Sequence, residues 1–402
     1  MTNPRHPDSA LTRARRTPMT RMFAALALVA GLAFADGACA AVARVPAFAR
    51  VVEREVPAIM RAARIEGVAV GLVVDGRLAY AKGFGFADHA GKVAVTPDTV
   101  FVAASLSKPI AAWVAMRLVE QWAIRLDQPV ADLVSPWPLA ASAFDPHAIT
   151  LRHLLSHTAG TTLGGYEGWL DYAQLPTLEE SLAGKTNGRG AVELFAAPGT
   201  KFQYSGGGYT LLQLAIERTT RRRYSDLAHE LVFRPLGMRH SSVEMSPRVM
   251  AGAAQGHGDD GSPVPMRYYV EQAPSGLTTT VDDFARWMIA GMVGADGASR
   301  GPLSTERLAA LHTPARLAAP RAPGEAVYGL GHFIEHLADG STAVGHDGRN
   351  QAGFRAKFLM RPQQRDGIVF FSNSRTGLAL DRIVCLWAAD AGGADPGTAC
   401  KE

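Results

Sequence analysis

The sequence predicts an α+β fold in which an antiparallel sheet is built from both chain ends, with flanking helices and an inserted, mostly helical lobe between them. Three observations predict it. Val68 to Val74 and Leu78 to Gly85 are apolar strand-like stretches joined by Asp75-Gly76, a pair suited to the positive backbone angles of a type I′ hairpin. Gly353 to Met360 and Gly367 to Ser372 form a second strand pair around the turn-rich 361–366, near the other end. Between the two pairs the apolar residues recur at helical spacing.

In chain order, Arg5, Arg13, Arg15, Arg16 and Arg21 precede the short apolar run Phe23 to Ala35 and then Ala38-Cys39-Ala40. A basic segment, an apolar run and an A-x-A site predict a secretory signal over 1–40, cleaved after Ala40, and an exported, periplasmic or secreted product. The run is well short of the roughly 20 residues a spanning helix needs, so no membrane span is expected in the mature chain. Residues 41–402 are then read as one domain: a sheet lobe over about 44–104 and 325–390, and a helical lobe over about 105–324. Val51 to Ile65 has helical spacing and stops near Gly67. Leu151 to His157, Tyr209 to Arg218, Leu227 to Phe233, Val281 to Met292 and Glu306 to His312 supply the inserted helices, with Thr280 and Asp283 as an N-cap pair for the fourth. Arg221 to Arg223 reads as a solvated helix end, and Pro314 to Gly324 as a surface loop.

The composition is that of a globular protein, with 47% hydrophobic residues and a formal charge of +4. Without the N-terminal arginines the balance is near neutral, so nucleic acid is not an expected partner. Of the cysteines, Cys385 and Cys400 remain after cleavage; they offer no metal quartet, and pairing them in an oxidising compartment would pin the tail. No metal and no cofactor is expected.

The chemistry centres on Phe101 to Glu120. Pro109 fits only a first helical turn, where no backbone N–H is needed, and Ile110, Trp113, Val114 and Leu118 continue an apolar face. A helix starting at or just after Ser105 puts Ser105 and Lys108 on one face at its positive end. Serine is too weakly acidic to attack a carbonyl unaided, and a lysine desolvated in a pocket loses its proton to become a base. Lys108 alone among the lysines has a serine three residues before it and lies in an apolar helix pattern. Two further candidates follow: Tyr204, in a stretch interrupted by Gly206, Gly207 and Gly208, and the segment Gly345 to Gly353, placed just before a strand. There His346 offers a substrate contact, and backbone N–H groups beside Gly348 can point at an oxyanion.

These boxes, in this order, resemble those of the penicillin-recognising serine hydrolases, in the branch of class C β-lactamases, D-alanyl-D-alanine peptidases, D-aminopeptidases and family VIII esterases. Ser105-x-x-Lys108 matches the nucleophile box, Tyr204-Ser205-Gly206 falls where Tyr-x-Asn is usual, and His346-Asp347-Gly348 stands where Lys-Thr-Gly or His-x-Gly is found. Leu154 to Gly160 (LLSHTAG), Arg234 to Met238 (RPLGM) and Ser275-Gly276-Leu277 are similar too, so the resemblance runs from about Val51 to Ser372. It implies a serine β-lactamase-like fold and an acyl-enzyme mechanism. Ser105 is the nucleophile, Lys108 and Tyr204 share a proton so that either is the base, and the amides of Ser105 and Arg349 hold the oxyanion. Gly206 removes an amide that bonds substrate in relatives, and His346 replaces a lysine that holds a carboxylate, which together weaken β-lactam hydrolysis. The implied substrate is an ester or a D-amino acid amide or peptide, small or peptidoglycan-like. The alternatives are a penicillin-binding sensor acylated without turnover, and a true class C-like β-lactamase.

Two patterns carry less. Gly297-Ala298-Ser299-Arg300-Gly301 fits G-x-S-x-G, but that elbow needs a strand before it and a helix after, and Pro302 follows closely. His153 and His157 have i, i+4 spacing without the adjacent glutamate of a zinc protease, which leaves a structural place at a helix end.

Overall fold

The computed structural model describes residues 47–315 and 326–393. The expected signal segment, the Cys400 end of the expected pairing and most of the Pro314 to Gly324 loop lie outside the described residues; residues from Ala47 onward group as one compact unit. Cys385 is held in a disulfide whose partner also lies outside the described residues.

Helix α1 (47–63) leads into β1 (Gly67–Val74) and β2 (Arg77–Asp88). Their turn has Asp75 at φ +52° and Gly76 at +67°, the two positive angles the Asp-Gly pair predicts. The short β3 (Val93–Ala94) pairs with β2. Near the other end run β6 (Val327–Tyr328), β7 (Phe333–His336), β8 (Thr342–Arg349), β9 (Arg355–Arg361) and β10 (Asp366–Ser372). The sheet order is β3-β2-β1-β10-β9-β8-β7-β6, so the chain ends meet where β1 pairs antiparallel with β10.

Side-chain alternation explains why β1 reads as almost continuously apolar: both its faces are covered. Val68, Val70 and Leu72 pack with Val52 and Val56 of α1 and with Ile383, Val384 and Trp387 of the C-terminal helix Asp381–Gly392. Ala69 and Val73 face the other way, into the larger core shared with the helical lobe. Gly71 has no side chain because a Cβ there would come within 2.6 Å of Val281. Among the described residues no helix is long and apolar enough to cross a membrane.

The strand β4 (Phe101–Ala104) pairs antiparallel with β5 (Leu277–Thr279) as a separate two-stranded piece, and helix α2 (Ser107–Glu120) follows it. In the helical lobe α3 (Leu151–Leu155) and α4 (Leu178–Leu182) pack against α5 (Gly206–Thr220), while α2 packs against the short helices Gln272–Ser275 and Tyr224–Ala228, with a further helix at Val281–Ala290. Thr280 accepts the Asp283 N–H, completing the expected cap.

One element departs from expectation. The segment placed just before a strand is itself mostly strand: His346, Asp347 and Gly348 lie inside β8. Gly345 and Gly348 lower strand propensity, and Asp347 and Arg349 break the apolar run, which hides the strand from pattern reading. The glycines are there because neighbouring backbone is close. A Cβ on Gly348 would lie 2.2 Å from the Ala103 carbonyl oxygen, where β8 presses on β4.

Candidate active site

Chain geometry at the end of β4 presents Ser105. Ala104 stands at φ +49°, a left-handed conformation uncommon for a residue with a Cβ, and it turns the chain sharply between strand and helix. Ser107 ties that turn down: its Oγ donates to the Ala104 carbonyl at 2.5 Å and accepts the Leu277 N–H at 2.8 Å, linking β4 to β5. Ser105 is left half-buried, one residue before the N-cap of α2.

Lys108, on the first turn of α2, is 1% exposed. Its Nζ donates to Ser105 Oγ at 3.1 Å and to the Pro274 carbonyl at 3.1 Å. It lies 4.7 Å from the Tyr204 ring centroid and 5.6 Å from that of Tyr209, between two aromatic faces. Burial brings its pKa down from 10.5 to about 7, with the Asp347 carboxylate pulling weakly the other way. A lysine so placed exchanges its proton near neutrality.

Tyr204 directly precedes the N-cap of α5, Ser205, whose Oγ accepts the Gly208 N–H at 2.8 Å. The ring is surrounded by His157, Phe333, Tyr328 and His346. Burial raises its pKa, while a hydrogen bond with Ser105 and the charge of Arg349 pull it down. Ser105 Oγ is therefore hydrogen-bonded to an amine of lowered pKa, with a phenol of raised pKa beside it.

The sequence candidates on β8 divide between the two faces of the sheet. His346 pairs with Phe358 and Gly348 with Ala356, so both share the face of the main core; Asp347 and Arg349 lie on the other. His346 is 3% exposed with both ring nitrogens engaged: Nδ1 donates to the Asp347 carbonyl at 2.6 Å and Nε2 accepts from the Tyr328 hydroxyl at 3.1 Å. Burial brings its pKa to about 4, so the ring is neutral, and no nitrogen is left for the substrate contact expected of it. Gly206 opens α5. A Cβ there would sit 3.4 Å from the Gly164 and Leu163 carbonyl oxygens and from the Tyr166 ring, in ordinary van der Waals contact with that loop.

Substituting Gly348 tests this packing. Gly348→Ala is expected to separate β8 from β4, lowering kcat/KM at least about tenfold and stability by about 1–3 kcal/mol. Ester hydrolysis and chemical denaturation measure the two effects.

Other expectations find their places. Ser299 lies in the loop between Val281–Ala290 and Thr305–Leu311, without the strand and helix of a nucleophile elbow. His153 belongs to the capping box of α3. The stretches 161–176 and 256–272 are tied together by Trp169 and Tyr268, whose backbones exchange hydrogen bonds of 2.9 and 2.8 Å. Sequence reasoning missed two contributors. The Pro274 carbonyl is a backbone atom and leaves no side-chain signal. Tyr328, the partner of His346, stands in an undistinguished two-residue strand.

The β-lactamase-like fold, with a serine hydrogen-bonded to a desolvated lysine beside a tyrosine ring, matches one class, the penicillin-binding-protein-like serine hydrolases. The beta-lactamase family model matches residues 52–388, and the chain belongs to that family. It is 29% identical over 306 residues to penicillin-binding protein 4 of Amycolatopsis lactamdurans, covering 72% of this chain and 76% of that one. It is also 29% identical over 242 residues to the unguisins hydrolase ungD' of Aspergillus campestris, spanning 56% of this chain but only 44% of that relative. In fold it is similar to the octameric penicillin-binding protein homologue from Pyrococcus abyssi, with a TM-score of 0.74, 24% identity and coverage of 88% and 79%. The beta-lactamase/D-alanine carboxypeptidase from Pseudomonas syringae gives 0.65, 20% identity, and 83% and 98%.

Proposed function

We propose that this chain is an exported serine hydrolase that forms an acyl-enzyme through Ser105 and acts on an ester or a D-amino acid amide or peptide, with at most weak β-lactam hydrolysis. The observation that carries the reading is the 3.1 Å contact between Lys108 Nζ and Ser105 Oγ, made by a lysine whose pKa is brought to about 7. Neutral Lys108 takes the hydroxyl proton as Ser105 Oγ bonds to the scissile carbonyl carbon. Negative charge collects on the carbonyl oxygen, which the backbone N–H groups of Ser105 and Arg349 stabilise. As the tetrahedral intermediate collapses, the proton on Lys108 passes to the leaving alcohol or amine by way of the Tyr204 hydroxyl. Water then attacks the acyl carbon and gives a proton to Lys108, which passes it to Ser105 Oγ as the acyl bond breaks, so that the acid leaves and the Ser105 hydroxyl and neutral Lys108 are restored. Of the two candidate bases, the lowered pKa of Lys108 and the raised pKa of Tyr204 favour the lysine.

Gly206 and His346 support the substrate assignment. No side-chain amide stands at position 206 to bond an acylamino group, and buried, neutral His346 supplies no charge for a β-lactam carboxylate. Export rests on the sequence of residues 1–40, and the disulfide at Cys385 fits an oxidising compartment.

A panel tests the reading: a short-chain p-nitrophenyl ester, a D-alanyl peptide and nitrocefin, with the mature protein and Ser105→Ala. Turnover of the ester or the peptide, lost in the variant, is expected. Fast nitrocefin turnover contradicts the argument from Gly206 and His346, and acylation of Ser105 without release of product moves the protein to a sensor role.

A further inference from the structure

His157 touches three consecutive residues of the Tyr204 segment. Its carbonyl accepts the Gln203 N–H at 2.8 Å, its Nδ1 accepts the Ser205 N–H at 3.0 Å, and its ring lies against Tyr204 with centroids 4.3 Å apart. Tyr204 is thus gripped from the residue before, the residue after and its own face.

The residue holds this position in an unfavourable conformation. It stands at φ +58°, in the left-handed region, and is 2% exposed. Because Nδ1 accepts, the neutral ring carries its proton on Nε2, and that buried donor has no hydrogen-bond partner. The rings of Tyr328 and Tyr209 surround it, with centroids at 4.6 and 5.1 Å. Burial, with the nearby Lys108 charge, keeps the ring neutral. Helix termination explains none of the contacts to 203, 204 and 205, which lie nearly fifty residues away in sequence.

We infer that His157 is a positioning residue of the reaction, the template that fixes the Tyr204 hydroxyl against Ser105 and keeps water from the Tyr204 and Lys108 side of the site. The inference rests on the Ser105, Lys108 and Tyr204 reading above. A ring on the face of Tyr204 fixes the plane of the phenol, and the two backbone contacts fix where its Cα stands. Together they leave the hydroxyl one place to point.

The experiment compares His157→Ala, His157→Asn and His157→Phe in the mature protein, with Tyr204→Phe as control, on the p-nitrophenyl ester across pH. Asparagine tolerates the left-handed backbone and places an acceptor where Nδ1 stood; phenylalanine keeps the ring and loses the acceptor. His157→Ala is expected to lower kcat about 100-fold, the scale of a misplacement near 1 Å, with KM within about threefold. Its acidic limb is expected to move up from pH about 7 as water reaches Lys108. His157→Asn is expected to recover at least about tenfold of the loss in kcat. Fluorophosphonate labelling counts competent sites, so each kcat refers to folded enzyme.

Wild-type kcat in His157→Ala overturns the inference. So does an equal loss in the alanine and asparagine variants with the acidic limb unmoved, the pattern of a merely structural residue. If the alanine variant does not fold, the phenylalanine variant decides: kcat below that of His157→Asn is expected, and kcat at wild-type level overturns the inference. Full activity in Tyr204→Phe defeats the catalytic reading itself, whereas an inactive Tyr204→Phe beside a fully active His157→Ala defeats only the role of His157.

Discussion

Ser105→Ala is expected to lower kcat for the preferred ester or D-amide at least about 10⁴-fold while leaving the fold intact, as removal of a serine nucleophile does elsewhere. The side chain removed is small and half-buried, and its partners keep other contacts: Lys108 Nζ still donates to the Pro274 carbonyl. Ser107, two residues on, is no substitute nucleophile. It is fully buried, with its hydroxyl committed to the Ala104 carbonyl and the Leu277 N–H. Steady-state kinetics and thermal unfolding of the purified variant measure the two halves of the prediction, and activity within tenfold of wild type contradicts it.

Lys108→Met is expected to move activity and stability in opposite directions. Activity falls by about 10²–10⁴-fold, the usual contribution of a positioned base. Stability rises, and the sign follows from the lowered pKa. In the unfolded chain Lys108 titrates near 10.5; in the folded protein it titrates near 7. Above pH 10.5 both states are neutral and the group costs nothing. Between 10.5 and 7 the unfolded lysine gains a proton that the folded one refuses, so stability falls as pH falls; below 7 the penalty is constant, at up to about 5 kcal/mol. Methionine fills the same tunnel of aromatic faces without that penalty. A higher melting temperature at pH 7 with little activity is the expected result, and a lower one shows that the ammonium contacts outweigh desolvation. In the wild type the same pKa predicts that kcat/KM rises through pH 7 as Lys108 loses its proton.

Much of this was legible in the sequence, and what was not has a physical cause. The hairpin at Asp75-Gly76 was readable because few pairs adopt two positive angles, and β1 was readable because both its faces are buried. Strand β8 was not, since its glycines answer to close backbone contact with β4 and not to strand propensity. Ser105 and Lys108 stood out as candidates by residue type and spacing, and Tyr204 only through the resemblance of its box to a family's. The direction of His346 was not: pairing with Phe358 turns it into the core, and Tyr328 takes its nitrogen. The Pro274 carbonyl belongs to the backbone, and the grip of His157 on residues 203–205 joins segments that only the fold brings together.

The central claim is that Ser105 is a nucleophile activated by a lysine that loses its proton near neutrality. Its most direct test is the rate and site of covalent labelling by a fluorophosphonate, read by intact mass and peptide mapping between pH 5 and 9, roughly two units either side of the Lys108 pKa. The account predicts one adduct, on Ser105, absent from Ser105→Ala, with a labelling rate that rises through pH about 7 and loses that dependence in Lys108→Met. No adduct, an adduct on another residue such as Ser299, or a rate flat across this range in the wild type would contradict it.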